Sequence, residues 1–165
     1  MKSASPTMPE RIVINTGPLI ALAKARAVDA IGRLPFEFLC PSTVREELDA
    51  GAARGFPDVR PDWLIVAPMR GVHAVAAAVL DDAEAAVIQL AVDEGISTVC
   101  IDERAGRRIA KAAGLRVTGS LGLLLRAKMA GHLPALRPLL DELRAAGVWY
   151  QADLVQRVLA AAGED

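Results

Sequence analysis

The stretch that decides the fold is RIVINTGPLIALAKA, Arg11 to Ala25. Arg11-Ile-Val-Ile-Asn15 is a short β-branched run, Thr16-Gly17-Pro18 turns out of it, and Leu19 to Ala25 is an apolar helix. A strand passing straight into a helix opens a parallel α/β unit if the pattern repeats, and here it does. A second helix is predicted over Ala27–Arg33, a strand over Phe36–Cys40, and a helix from Ser42, the N-cap candidate, to about Ala53. Gly51–Pro61 is a Gly/Pro-rich loop before a strand at Trp63–Ala67. A helix over Asp81–Glu94 is stopped by Gly95, a strand covers Ser97–Ile101, and a helix over Glu103–Ala113 is stopped by Gly114. Leu115–Val117 is the last short strand, and helices follow from Ser120, Ala135 and Ala152. The class is α/β, with helices on both faces of a mainly parallel sheet.

In such sheets ligands gather at the carboxyl ends of the strands. That rule points to Asn15, Asp102 and Thr118 to Ser120, each just past a predicted strand. Helical phase, at about 100° per residue, sharpens the set. Leu80, Val87, Ile88 and Ala91 share one face of the Asp81 helix, and Asp82, Gln89 and Asp93 lie opposite. Glu84 falls inside the apolar stripe, where an unpaired carboxylate costs several kcal/mol and needs a partner. In the Ser42 helix Val44, Leu48 and Gly51 share a face; Glu47 lies beside it, inward, and Glu46 points away. Each acid has a plain structural reading as a cap or a first-turn acid complementing the helix dipole. Together Glu47, Glu84 and Asp102 form a repelling cluster of the kind a hard divalent cation holds.

The helix after Asp102 carries Arg104, Arg107, Arg108 and Lys111 in one narrow stripe, opposite Ala105, Ile109, Ala112 and Ala113. Cations beside anions suit a phosphate-bearing substrate; an ordinary solvated helix face gives the same pattern. With 19 basic and 20 acidic residues the net charge is −1, so bulk charge advertises no nucleic acid, and any affinity must be local. Aromatic residues make up 4%, which leaves few base-stacking platforms and no suggestion of sequence-specific base reading.

The length of 165 residues with 53% apolar content fits one domain, expected over 10–165. Met1–Pro9 is polar with two prolines and reads as a flexible tail, without the apolar core of a signal peptide. Apolar runs such as Leu121–Leu125 are too short to span a bilayer despite a mean hydropathy of +0.31, so a cytoplasmic protein is expected. Cys40 and Cys100 fall in predicted strands and read as reduced, buried thiols; His73 and His132 lie far apart, which argues against a histidine metal site.

The stretches IVINTGPLIALAK, CPSTVREEL, DAEAAVIQLA, IDERAGRRIA and VTGSLGLLLRAKMAGHLP, in this order, resemble the PIN-domain family of metal-dependent nucleases. The resemblance spans Arg11 to Glu164 and is closest to an uncharacterised prokaryotic subfamily, related to VapC-type toxins, that also ends in a helix closing on Ala-Gly-Glu. It implies a three-layer α/β/α fold with a mainly parallel sheet of about five strands. It places Asn15, Glu47, Glu84 and Asp102 at the four acidic positions, with Thr16 and Ser120 as nearby hydroxyls. Mg²⁺ or Mn²⁺ is the implied cofactor, and single-stranded or structured RNA the implied substrate. The implied mechanism is phosphodiester hydrolysis by one or two carboxylate-held ions, with no side-chain nucleophile.

Asn15 departs from the pattern, standing where most active members carry aspartate. An amide oxygen ligates a hard cation but removes one negative charge, so affinity for Mg²⁺ should fall. The resemblance therefore implies a PIN ribonuclease, with the toxin half of a toxin–antitoxin pair as one form of it. The alternative is a PIN module that binds RNA or a protein partner and cuts weakly or not at all. A small antitoxin is an expected partner. So is a second copy of the chain, joined through Leu121–Leu125 and the helix bearing Leu154, Val158 and Leu159. A phosphoacceptor receiver domain also places acids at strand ends. It needs adjacent acids after its first strand and a lysine after its last, where this chain has Asn15-Thr16 and Thr118-Gly119.

Overall fold

The computed structural model describes residues 7–69 and 80–165. The segment 1–6 of the expected tail and His73 lie outside the described residues; 7–9 are exposed and carry no regular structure. Five parallel strands form one sheet in the order β3-β2-β1-β4-β5. They are β1 (Glu10–Ile14), β2 (Phe36–Pro41), β3 (Leu64–Ala67), β4 (Thr98–Cys100) and β5 (Arg116–Thr118). Eight helices are present among the described residues. The first four are α1 (Thr16–Lys24), α2 (Val28–Gly32), α3 (Ser42–Ala53) and α4 (Asp82–Asp93). The rest are α5 (Arg104–Ala112), α6 (Ser120–Met129), α7 (Arg137–Ala145) and α8 (Ala152–Ala161). This is the three-layer α/β/α arrangement the strand–helix alternation predicts.

One helical layer groups α3 and α4 with α5; the other groups α1, α2, α6, α7 and α8. Between them Val13, Ile14, Phe38, Cys40, Val99 and Cys100 are essentially sealed from solvent, so the strands read as continuous apolar runs. Both cysteines are free and buried, and burial pushes the Cys40 thiol up to about 11. Gly95 (φ 64°) and Gly114 (φ 84°) supply the left-handed residue that ends α4 and α5. No helix among the described residues is long and apolar enough to cross a membrane.

Two local expectations are corrected. Ser42 is the first helical residue of α3 and Pro41 holds the N-cap position, because β2 runs one residue further than its hydrophobic pattern suggests. On α5 the buried residues are Gly106 and Ala110, while Ala105, Ala112 and Ala113 are exposed. Small size, which lets α5 approach its neighbours closely, decides the packing there rather than hydropathy. Leu121, Leu123 and Leu124 are 0–4% exposed, and Val158 and Leu159 6–7%. These side chains pack within the chain, where α6 meets α1, α2 and α8, and Leu154 of the same face stays exposed.

Register brings the strand ends into line. Ile14 pairs with Cys100, and Cys100 with Thr118, so Asn15, Asp102 and Gly119 follow neighbouring strands at one edge of the sheet. Asn15 N–H donates to the Cys100 carbonyl (3.0 Å). The chain runs from β1 to β2 on one side, while β4 lies on the other. The crevice between β1 and β4 is thus the topological switch point where α/β proteins bind ligands.

Candidate active site at the carboxyl ends of the strands

Asn15 occupies the N-cap position of α1, yet its side chain makes no capping hydrogen bond. An N-cap side chain normally accepts from the second or third helical residue, and the third here is Pro18, which has no N–H. The amide is left over: Asn15 is 5% exposed and its Oδ1 has no partner.

Glu84 reaches the same condition by another route. Asp81 caps α4, its carboxylate accepting from Glu84 N–H (2.7 Å), while the Glu84 carboxyl is 5% exposed with Oε1 unpartnered. It lies so close to α5 that a methyl group on Gly106 would come within 3.1 Å of Oε1. Burial raises the Glu84 pKa above the usual carboxylate range, and the charges of Asp81, Glu103 and Glu47 add to the rise.

Glu47 is exposed, contrary to the inward placement expected of it. Its direction is as expected, because Thr16 Oγ1 donates to Glu47 Oε2 (3.0 Å) across the α1–α3 junction. It sits on the flank of the apolar face, where a long side chain carries its head out to water. Arg45 anchors the same helix turn, bonding Asp49 (2.7 Å) and the Val59 carbonyl (2.6 Å).

Asp102 is turned toward β5. Its Oδ1 accepts from Ser120 N–H and its Oδ2 from Ser120 Oγ, both at 2.8 Å. Ser120 is the first residue of α6, so a carboxylate from β4 satisfies that helix's amino end. The Ser120 hydroxyl proton goes to Asp102, so the Tyr150 hydroxyl is the donor in the 2.6 Å contact with Ser120 Oγ. Burial pushes the Tyr150 phenol up to about 12. A methyl group on Gly119 would stand 2.7 Å from Asp102 Oδ1 and 2.9 Å from Arg107 Nη1, so only glycine leaves both in place.

Thr16 (6% exposed) and Ser120 (0%) were expected to meet substrate; both are buried and each donates to an acid. Arg104, Arg108 and Lys111 are exposed, while half-buried Arg107 donates to the Ile101 carbonyl (2.8 Å). All four line a cavity of about 480 Å³ together with Asp102, Trp149 and Tyr150. Sequence reasoning missed four contributors here. Asp81 was legible from the Asp-x-x-Glu spacing of a helix start; Glu103, Trp149 and Tyr150 had no local signal.

The donor set suits a hard divalent cation in chemistry: carboxylates, an amide oxygen, and two buried oxygens, Asn15 Oδ1 and Glu84 Oε1, that a cation would satisfy. Among the described residues no three Asp, Glu, His or Cys side chains converge into a ready-made cage. Glu84 shares its surroundings with Asp81, Glu103 and Glu47, whereas Asp102 is drawn to Ser120.

No curated protein matches the chain. A family model described as a PIN domain matches residues 11–164, nearly the whole chain. With the all-parallel sheet and the acids at its carboxyl edge, that match makes this chain a member of the PIN-domain family.

Proposed function

We propose that the chain is a PIN-type, metal-dependent ribonuclease acting at the β1–β4 crevice. PIN domains as a class are nucleases that use divalent metals, so nuclease-type chemistry is the coarse reading the family carries. The observation that supports the finer one is that two buried oxygens at this end of the fold, Asn15 Oδ1 and Glu84 Oε1, have no partner, while Asp102 lines a basic groove. Two unsatisfied acceptors at a ligand-binding edge cost roughly 1–3 kcal/mol each unless something bound there engages them.

Asn15, Glu47, Glu84 and Asp102 would hold Mg²⁺ or Mn²⁺, which when bound supplies activation of water and neutralisation of charge at the scissile phosphate. The remaining work belongs to the chain. Ser120 and Tyr150 fix the orientation of Asp102, and Thr16 that of Glu47. Arg104, Arg108 and Lys111 neutralise flanking phosphates of an RNA strand, with Arg107 held at the Ile101 carbonyl as a fixed donor.

The test is calorimetric binding of Mn²⁺ and Mg²⁺ to wild type, Asn15→Asp and Asp102→Ala, followed by RNA cleavage with the same proteins. Binding and cleavage that Asp102→Ala removes and Asn15→Asp strengthens support the proposal. An Asp102→Ala protein that cuts RNA as fast as wild type sinks it. A second reading, a PIN module that binds RNA or a protein without cutting, is favoured by Asn15 itself and by the absence of a three-acid cage among the described residues. It predicts metal binding and cleavage only after Asn15→Asp. As a cytoplasmic toxin the chain would arrest growth on expression, with relief by a small antitoxin. A homodimer through α6 and α8 would have to use what that face leaves exposed, Leu154 included.

A further inference from the structure

The aromatic content is low, yet one aromatic stands where a strand would pass. Trp149 is 71% exposed, far more than any other aromatic among the described residues. It is held outward in the short connection between α7 and α8, with the Arg144 guanidinium 5.3 Å from its ring centroid. It lines the 480 Å³ cavity with Asp102, Arg104, Arg107, Arg108 and Lys111, and also the adjoining cavity of about 790 Å³. One continuous groove thus offers an acid, a row of cations and a flat indole.

We propose that Trp149 is a base-stacking platform that makes this groove specific for single-stranded RNA, seating an unstacked base beside Asp102 while the α5 cations track the phosphates. The proposal rests on the RNA reading above and adds the residue that reads an unstacked base. An indole face binds any base but only one that has left its duplex stack, so selectivity follows from geometry rather than from hydrogen-bond readout. Arg144 on the ring helps keep the indole oriented. An acidic peptide would satisfy the cations yet leave the indole without a planar partner, so the exposed ring favours a nucleic-acid strand.

The test is equilibrium binding of a single-stranded adenosine decamer and of the matching duplex, in chelator so that no cleavage occurs. It is read by tryptophan fluorescence and by anisotropy of a labelled strand, on wild type, Trp149→Ala, Trp149→Phe and Arg108→Ala. The single strand is expected to quench the fluorescence. Trp149→Ala should remove the quench and weaken single-strand binding by about 5- to 150-fold, leaving duplex binding and the salt dependence unchanged. Trp149→Phe should restore most of the affinity, and Arg108→Ala should flatten the salt dependence instead. Wild-type affinity in Trp149→Ala, or an equal loss for duplex and single strand, overturns the proposal. Displacement of the decamer by polyglutamate at equal affinity does so too, and marks a protein-binding groove. The high exposure of Trp149 leaves the variants free to fold, which far-ultraviolet circular dichroism checks. Binding without cleavage on adding Mn²⁺ would count against the nuclease and not against the platform.

Discussion

Glu84→Gln should make the metal-free protein more stable than wild type. The wild-type carboxylate is 5% exposed, its Oε1 has no partner, and Asp81, Glu103 and Glu47 all act to repel its charge. Glutamine keeps the shape and removes the charge. An unsatisfied buried acceptor costs about 1–3 kcal/mol, and the amide recovers part of that, so a gain of about 1–2 kcal/mol is expected. For a chain of this length that is a rise in Tm of roughly 2–8 °C. The assay is thermal unfolding followed by circular dichroism at pH 7, in chelator and then at increasing Mn²⁺. Saturating ion stabilises whichever protein binds it, by about 2.7 kcal/mol at a hundred times Kd. Wild type should therefore overtake the variant, which has lost a charged ligand.

Acidity supplies a second check on the same residue. A raised folded-state pKa means that the contribution of Glu84 to stability is fully present below its unfolded value and is lost as pH rises through the folded value. The advantage of the glutamine variant should accordingly vanish on acidification to that unfolded value and open as pH rises. A Glu84→Gln protein at least 1 kcal/mol less stable than wild type in chelator would refute the reasoning, since it would mean that the carboxylate has a partner that holds it as an anion.

Gly119→Ala should lower stability by about 1–3 kcal/mol and weaken Mn²⁺ binding, because the added methyl enters the space of Asp102 and Arg107; denaturant unfolding and calorimetry read the two effects. Tyr150→Phe removes one hydrogen bond to Ser120, about 1 kcal/mol. In wild type this sole tyrosine should ionise only near pH 12 in an ultraviolet titration, its stabilising contribution present below its unfolded pKa and lost as pH rises through about 12. Ionisation at an ordinary phenol pKa in the folded protein would show that the phenol is not buried. Glu164 accepts from Leu136 N–H (2.7 Å) and Arg137 N–H (3.0 Å), which cap α7 and hold its carboxyl below the usual range. Its contribution is present above the unfolded carboxylate pKa and is lost as pH falls through the lowered one. Glu164→Gln should therefore be less stable than wild type at neutral pH and equal to it in strong acid, and a gap that persists in acid would rule out the carboxylate as its source.

The alternation of β-branched runs with apolar helices was enough to determine a parallel sheet, since strands covered on both faces must be apolar throughout and the helices must punctuate them. The strand-end rule then picked out Asn15 and Asp102, and helical phase picked out Glu84, because one buried face is a property of local spacing. Part of the release of the Asn15 amide is local too, since the proline three residues on removes one of the two N–H groups that could bond it. Phase could not say that Glu47 is exposed, because a residue on the flank of a stripe goes in or out according to what packs beside it. Nor could it choose the buried line of α5, where close approach favours Gly106 and Ala110. Tertiary structure alone decided that Asp102 turns to Ser120 and Tyr150, and that Trp149 lines one cavity with the cations of α5. Those partners lie 18 or more residues apart in the chain, and no periodicity reaches that far. They meet because the β4–β5 register brings Cys100 beside Thr118 and because α8 folds back on α6.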